Sequence, residues 1–161
     1  MKNPLFLVFI ALATLAFTVF PQGEASPDSS GIKWQSDFDQ AFSLAKKKNE
    51  PLLILFTGSD WCAPCKMLHE DLFENEDFIK YADKNLILYK ADFPRRIDTP
   101  ITEEQKAKNI ELRNKFRISG FPTIILINAK GDVIGTQSGY SRMMSTEYHL
   151  KTIQNAVENY K

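Results

Sequence analysis

The 161-residue chain carries 20 Lys and Arg against 20 Asp and Glu, so it lacks the basic excess that a nucleic-acid binder held by phosphate contacts would need. Hydrophobic residues make up 43% and charged residues 25%, which excludes wholesale disorder and supplies enough Phe, Leu and Ile for one core. Two cysteines cannot form a disulfide framework, and a domain of this size needs none.

Lys2 is the one charge before Glu24, and Leu5 to Phe20 is an apolar run broken only by Thr14 and Thr18. Pro21 follows, with Gly23 and Ala25 at the minus-three and minus-one positions, so residues 1–25 are expected to be a secretory signal peptide cleaved before Ser26. The alternative is a membrane anchor left uncleaved. The 16 residues of the run would span about 24 Å as a helix, short of a hydrocarbon core of about 30 Å. A periplasmic or otherwise exported location is therefore expected. In such an oxidising compartment a lone cysteine pair is more often a disulfide-exchange centre or a bridge than a zinc clip.

Ser26 to Gly31 is small, polar and rich in breakers, and reads as a flexible leader to a domain over residues 32–161. A short strand is expected at Ile32–Trp34. Ser36 and Asp39, then Phe38, Ala41, Phe42 and Ala45 at helical spacing, predict an amphipathic helix from about Asp37 to Lys48. Lys46, Lys47 and Lys48 oppose the dipole at its end. After Pro51, Leu52 to Phe56 is an unbroken apolar run, the pattern of a central strand covered on both faces.

A helix is expected from about Cys62 to Phe73, another behind Asn75 as its cap, and a buried strand at Leu86–Tyr89. Phe93 to Pro100 reads as a loop. Thr102 and Gln105 form a capping box for a helix through Phe116, with Ala107, Ile110, Leu112 and Phe116 as its apolar residues. Thr123–Ile127 and Asp132–Gln137, joined by the turn Asn128–Gly131, predict an antiparallel hairpin. Ser145 caps a last helix to about Tyr160, with Leu150, Ile153 and Val157 on one face. The order predicts an α/β fold with a mixed central sheet flanked by helices on both faces. Parallel strands joined through helices form its centre, and the hairpin forms an antiparallel edge.

The chemistry concentrates in Trp61-Cys62-Ala63-Pro64-Cys65-Lys66, where a buried strand gives way to a helix. A thiol at a helix amino terminus faces unpaired N–H groups and the positive end of the dipole, which stabilise its thiolate and lower its pKa from about 8.5. Cys62 is therefore the candidate nucleophile. Cys65, one turn below and expected to be less exposed, suits the resolving role. Pro64 stiffens the turn and lacks an N–H that would go unsatisfied there. The same spacing also serves half of a zinc site. His69 and His149 are the only other nitrogen or sulfur ligands of the usual kind, and both read as bland positions, so no metal is expected.

With W-C-A-P-C-K after an apolar strand, and Phe116-Arg117-Ile118-Ser119-Gly120-Phe121-Pro122-Thr123 opening a later one, the chain resembles the thioredoxin superfamily over essentially all of Ile32 to Lys161. The stretch T-G-S-D-W-C is similar to that of exported bacterial members related to the carboxy-terminal domain of DsbD and to DsbH. The resemblance implies a thioredoxin-like fold, with Cys62 attacking, Cys65 resolving and Pro122 in the cis form beside them. A cis bond would offer Phe121 backbone groups to a substrate strand. The bland alternative for Pro122 is a trans proline at a strand start. Trp61 and Phe121 are expected to form an exposed apolar rim, while Trp34, Phe38, Phe42, Phe73, Phe78 and Tyr81 are expected in the core.

Two departures from the family stand out. Leu55 occupies the place of the buried aspartate that moves the resolving cysteine's proton, although Lys90 falls where that acid's lysine partner belongs; Asp60 and Glu70 read as solvated charges rather than substitutes. Phe93 to about Lys108 is expanded, which reads as filling rather than as a partner surface. The expected function is an exported thiol:disulfide oxidoreductase, a reductase of cysteine-containing exported proteins re-reduced by a membrane thiol-electron donor. It needs no dissociable cofactor and no nucleic acid, and is monomeric. Isomerase and oxidase roles, and a non-catalytic binding module with a structural bridge or metal clip, are the alternatives.

Overall fold

The computed structural model describes residues 26–27, 31–99 and 101–160. The expected signal peptide, residues 1–25, lies outside them, as do residues 28–30 of the leader. Among the described residues no helix is long and apolar enough to cross a membrane.

The chain runs β1 (Ser26–Pro27), β2 (Lys33–Gln35), α1 (Phe38–Lys48), β3 (Leu52–Thr57), α2 (Ala63–Leu68) continued by a π-helical turn (His69–Phe73), α3 (Glu76–Asn85), β4 (Ile87–Asp92), α4 (Glu103–Lys115), β5 (Thr123–Ile127), β6 (Val133–Ser138) and α5 (Thr146–Glu158). The sheet order is β1-β2-β4-β3-β5-β6. Strands β2, β4 and β3 are parallel, β5 is antiparallel to β3 and to β6, and the two-residue β1 pairs antiparallel with β2 through Ser26–Trp34 and Pro27–Lys33. Part of the stretch read as a leader thus supplies an edge strand.

All six residues of β3 are buried, because the strand has neighbours on both sides and helices over both faces. Leu53, Leu55, Leu88, Ile124 and Leu126 point to α2, the π turn, α3 and α5, meeting Leu68, Phe73, Phe78 and Ile153. Leu52, Ile54, Phe56, Tyr89 and Ile125 point to α1 and α4, meeting Phe38, Ala45 and Leu112. Of the expected core aromatics, Trp34, Phe38, Phe73 and Phe78 are buried, while Phe42 and Tyr81 are half-buried at the margin.

Local signals are met with small shifts. The cap of α1 is Asp37, whose carboxylate accepts from Gln40 N at 2.7 Å, while the Ser36 carbonyl takes Gln105 Nε2 from the start of α4 at 2.7 Å. The Thr102–Gln105 capping box forms with both of its hydrogen bonds. On α4, however, Ile110 is exposed by 53% and Ala107 is exposed, and the inward positions are Asn109, Leu112 and Phe116. The reason is polar. Asn109 accepts from Tyr89 Oη at 2.6 Å and donates to Asp92 O at 2.9 Å, and a carboxamide with both ends satisfied is tolerated inside.

Candidate functional site

Strand β3 delivers the chain to a tight turn in which Trp61 N and Cys62 N both donate to Gly58 O, at 3.2 and 2.9 Å. Cys62 is the N-cap of α2, extended at φ −89° and ψ 103°, and its side chain makes no capping hydrogen bond. Its carbonyl accepts from Cys65 N at 3.0 Å and Lys66 N at 3.1 Å, which starts the helix. Pro64 lies in that first turn, where a missing N–H costs nothing. Cys62 and Cys65 are joined by a disulfide across a Cα separation of 5.2 Å. Linked to each other, the two are equally covered, 5% and 4% exposed. The lower exposure expected of Cys65 is therefore absent in this oxidised form.

Around the bridge the rim is more ordered than an apolar fringe. Trp61, 38% exposed, lies on Gly58, where a Cβ would come within 2.5 Å of Trp61 Cε2. Its Nε1 donates to Phe93 O at 2.8 Å. The Trp61 and Phe121 rings meet edge to face at 6.1 Å, and Phe93 stacks on Phe121 at 5.0 Å. The Phe121–Pro122 peptide is cis, and Pro122 is buried with its carbonyl accepting from Gly139 N at 2.8 Å. Cys62, Trp61 and Phe121 are thus brought together through two segments about 60 residues apart.

Charged groups fasten this arrangement. Asp60 is no solvated charge: its carboxylate accepts from Arg95 N at 2.9 Å and Arg96 N at 2.7 Å. Partial desolvation works to raise its pKa, but those backbone N–H groups and the Arg96 charge prevail and hold the carboxyl below the usual range. Lys66 donates to Asp60 O at 2.8 Å, and Glu70 pairs with Arg142 at 3.3 Å. At the end of β4, Asp92 accepts from Ser59 N and Phe93 N, each at 2.9 Å. The loop after β4 is therefore built into the site rather than filling space, contrary to the reading of the expansion.

Leu55 sits in the core, 3% exposed, beside Lys90 in the β3–β4 register. Lys90 places its ammonium 5.5 Å from the Trp34 ring centroid and lines a cavity together with Ser59, Asp92 and Asn109. Asp92, Phe93, Arg95 and Asn109 carry no sequence signal of these roles, because they meet partners far along the chain, and Asp60, expected to be solvated, is tied to Arg95 and Arg96 across a similar distance. The one local hint was Asp60 beside Trp61. His149 is not the bland position expected of it: it is 1% exposed, with Nδ1 hydrogen-bonded to the Gln137 carboxamide and Tyr140 packed on its ring at 5.0 Å.

Several known proteins are similar to this chain. Disulfide bond reductase DsbH of Chlamydia pneumoniae is 32% identical over 103 residues, 64% of this chain and 60% of that protein. Thioredoxin-related protein DsbJ of the same organism is 32% identical over 120 residues, 73% of this chain and 34% of DsbJ. Thiol:disulfide interchange protein DsbD of Vibrio vulnificus is 26% identical over 143 residues, 86% of this chain and 22% of DsbD. The chain thus spans less than two thirds of each of these relatives. A solved structure titled DsbH Oxidoreductase superposes with a TM-score of 0.68 at 26% identity, covering 86% of this chain and 90% of that one. A disulphide isomerase from Xylella fastidiosa Temecula1, at 22% identity and a TM-score of 0.55 over 73% of this chain and 86% of its own, shares the fold. Residues 38–154, from α1 into α5, match the model of the thioredoxin-like domain, and the chain belongs to that family.

Proposed function

We propose that this chain is an exported thiol:disulfide oxidoreductase that reduces disulfides in cysteine-containing exported proteins. The observation that carries the reading is the Cys62–Cys65 bridge, closed across the first turn of a helix whose cap is Cys62 itself. In the reduced protein the Cys62 thiolate faces the N–H groups of that turn, which favour its charge. It attacks one sulfur of a substrate disulfide and expels the other as a thiolate. Cys65 then loses its proton and attacks Cys62 Sγ, releasing the second substrate thiolate and leaving the intramolecular bridge. Two electrons have passed to the substrate, and a membrane thiol-electron donor returns them.

The likeness to a disulfide bond reductase, DsbH, and to a thiol:disulfide interchange protein, DsbD, supports thiol–disulfide chemistry. Ala63-Pro64 between the sulfurs resembles the Gly-Pro of reducing thioredoxins and supports the reducing direction. Phe121, next to the cis bond, offers its backbone to an extended substrate segment. Equilibration with glutathione tests the direction: a potential near about −270 mV is expected, and one near about −120 mV makes the protein an oxidant instead. Cys65→Ser is expected to accumulate mixed disulfides between Cys62 and exported proteins. If none form, the catalytic reading falls and a binding module takes its place.

A further inference from the structure

Two guanidinium groups rest on the aromatic rim of the bridge. That of Arg95 lies 3.8 Å from the Trp61 ring centroid. That of Arg113 lies 5.6 Å from Phe121 and 5.8 Å from Phe93, with Nε donating to Ile118 O at 3.4 Å. Both side chains are exposed, and among the described residues no carboxylate pairs with either. The acids nearby are already engaged. Asp60 holds the backbone of Arg95 and Arg96, and Asp98 takes Arg96 through two contacts of 2.9 and 2.6 Å. The chain as a whole is neutral, 20 charges of each sign, so an unpaired cationic rim is a local arrangement and not a spill-over of a basic protein.

A guanidinium packed on a ring keeps N–H donors at its edge, in the geometry that suits a carboxylate. Trp61 adjoins Cys62 in sequence, and Phe121 faces Trp61, so both groups rest on the aromatic cluster next to the cysteine that a substrate must reach. We propose that Arg95 and Arg113 are specificity-determining residues, and that the rim takes an extended cysteine-containing segment bearing an acidic side chain within a residue or two of the reacting cysteine. This rests on the redox reading above. The contact adds no chemical step. It holds the segment while Cys62 attacks the cysteine sulfur and the leaving thiolate departs.

The test uses the reduced protein and short single-cysteine peptides, each carried as a mixed disulfide with a chromogenic thiol and identical except for Glu, Gln or Lys beside the cysteine. Rates are divided by those of the same peptides with dithiothreitol, which removes the effect of the neighbour on the sulfur itself. The Glu peptide is expected to exceed the Lys peptide about fivefold. The preference should shrink as salt rises from about 50 to about 500 mM. It should fall close to one in Arg95→Gln/Arg113→Gln, and by part of that in Arg95→Gln alone, a loop position where folding is not at stake. The ratio is taken within each variant, so a general change in Cys62 reactivity cancels. Equal rates for all three peptides, or a preference that survives in the double variant, overturn the rim proposal and leave the redox reading standing. Failure to reduce any peptide, or the small neutral hydroxyethyl disulfide, overturns both.

Discussion

Gly58 shows how one missing methyl group shapes the site. The Trp61 indole occupies the space a Cβ would need, at 2.5 to 2.7 Å from three ring atoms. From that seat it reaches Phe93 O through Nε1 at 2.8 Å and supports Arg95 at 3.8 Å. Gly58→Ala should push the ring off its seat. Overpacking of this kind costs about 1–3 kcal/mol, a fall in Tm of about 4–11 °C for a domain of this size. Trp61 emission should shift toward that of a more hydrated indole, because the ring loses both its hydrogen bond and its cover. Trp34 is buried on the far side of β4 from α4 and supplies a constant background. An unchanged Tm and an unchanged emission spectrum would show that the ring is not anchored through this contact.

At the scale of elements, what could be read in advance divides by the range of the interaction. The unbroken run Leu52–Phe56 marked its own burial on both faces, and the Thr102–Gln105 box marked the start of α4. Cys62, Cys65 and Pro122 stand in motifs a few residues long, so their placement was legible too. The inward face of α4 was not. Asn109 is a polar residue whose burial makes sense only once Tyr89 and the Asp92 carbonyl, 20 and 17 residues back, are known to meet it. The Asp60–Arg95–Arg96 tie was hidden for the same reason, since it spans 35 and 36 residues with no periodicity to announce it. Asn109→Leu keeps the branched shape, with somewhat more bulk, and removes both hydrogen bonds. It should destabilise by about 1–3 kcal/mol, because the Tyr89 hydroxyl and the Asp92 carbonyl are left unpaired in the interior. Tyr89→Phe combined with Asn109→Leu should recover part of that loss, since one orphaned group has gone. Chemical denaturation of the two variants measures both. If the single variant matches wild type, α4 is not held by this bridge.

Over the whole molecule, α5 is joined to β6 and to the π turn behind the cysteine helix through a cluster around His149. Its ring packs against Tyr140 at 5.0 Å and Tyr148 at 5.6 Å. Gln137 of β6 holds Nδ1, and Nε2 is buried without a partner among the described residues. Tyr140 in turn donates to Asp71 of the π turn, which Arg142 also contacts at 3.2 Å. Desolvation disfavours the imidazolium, so the His149 pKa is lowered from its ordinary 6.5. The Tyr140 hydrogen bond, with Arg142 behind it, holds the Asp71 carboxyl below its usual range, and Tyr140 itself is pushed up to about 12, chiefly by burial. Neither therefore titrates near neutrality. With a folded pKa below the unfolded one, the unfolded chain takes up a proton that the folded chain refuses. Stability from this source is complete above about pH 6.5 and drains away as the pH falls below it, by at most about 1.4 kcal/mol per pH unit. His149→Gln replaces the ring by a group that does not ionise. Thermal melts between about pH 5 and pH 7.5 should show wild type losing stability toward acid with the steeper slope, and the variant, though less stable at neutral pH, with a flatter one. Parallel slopes would place the acid sensitivity elsewhere.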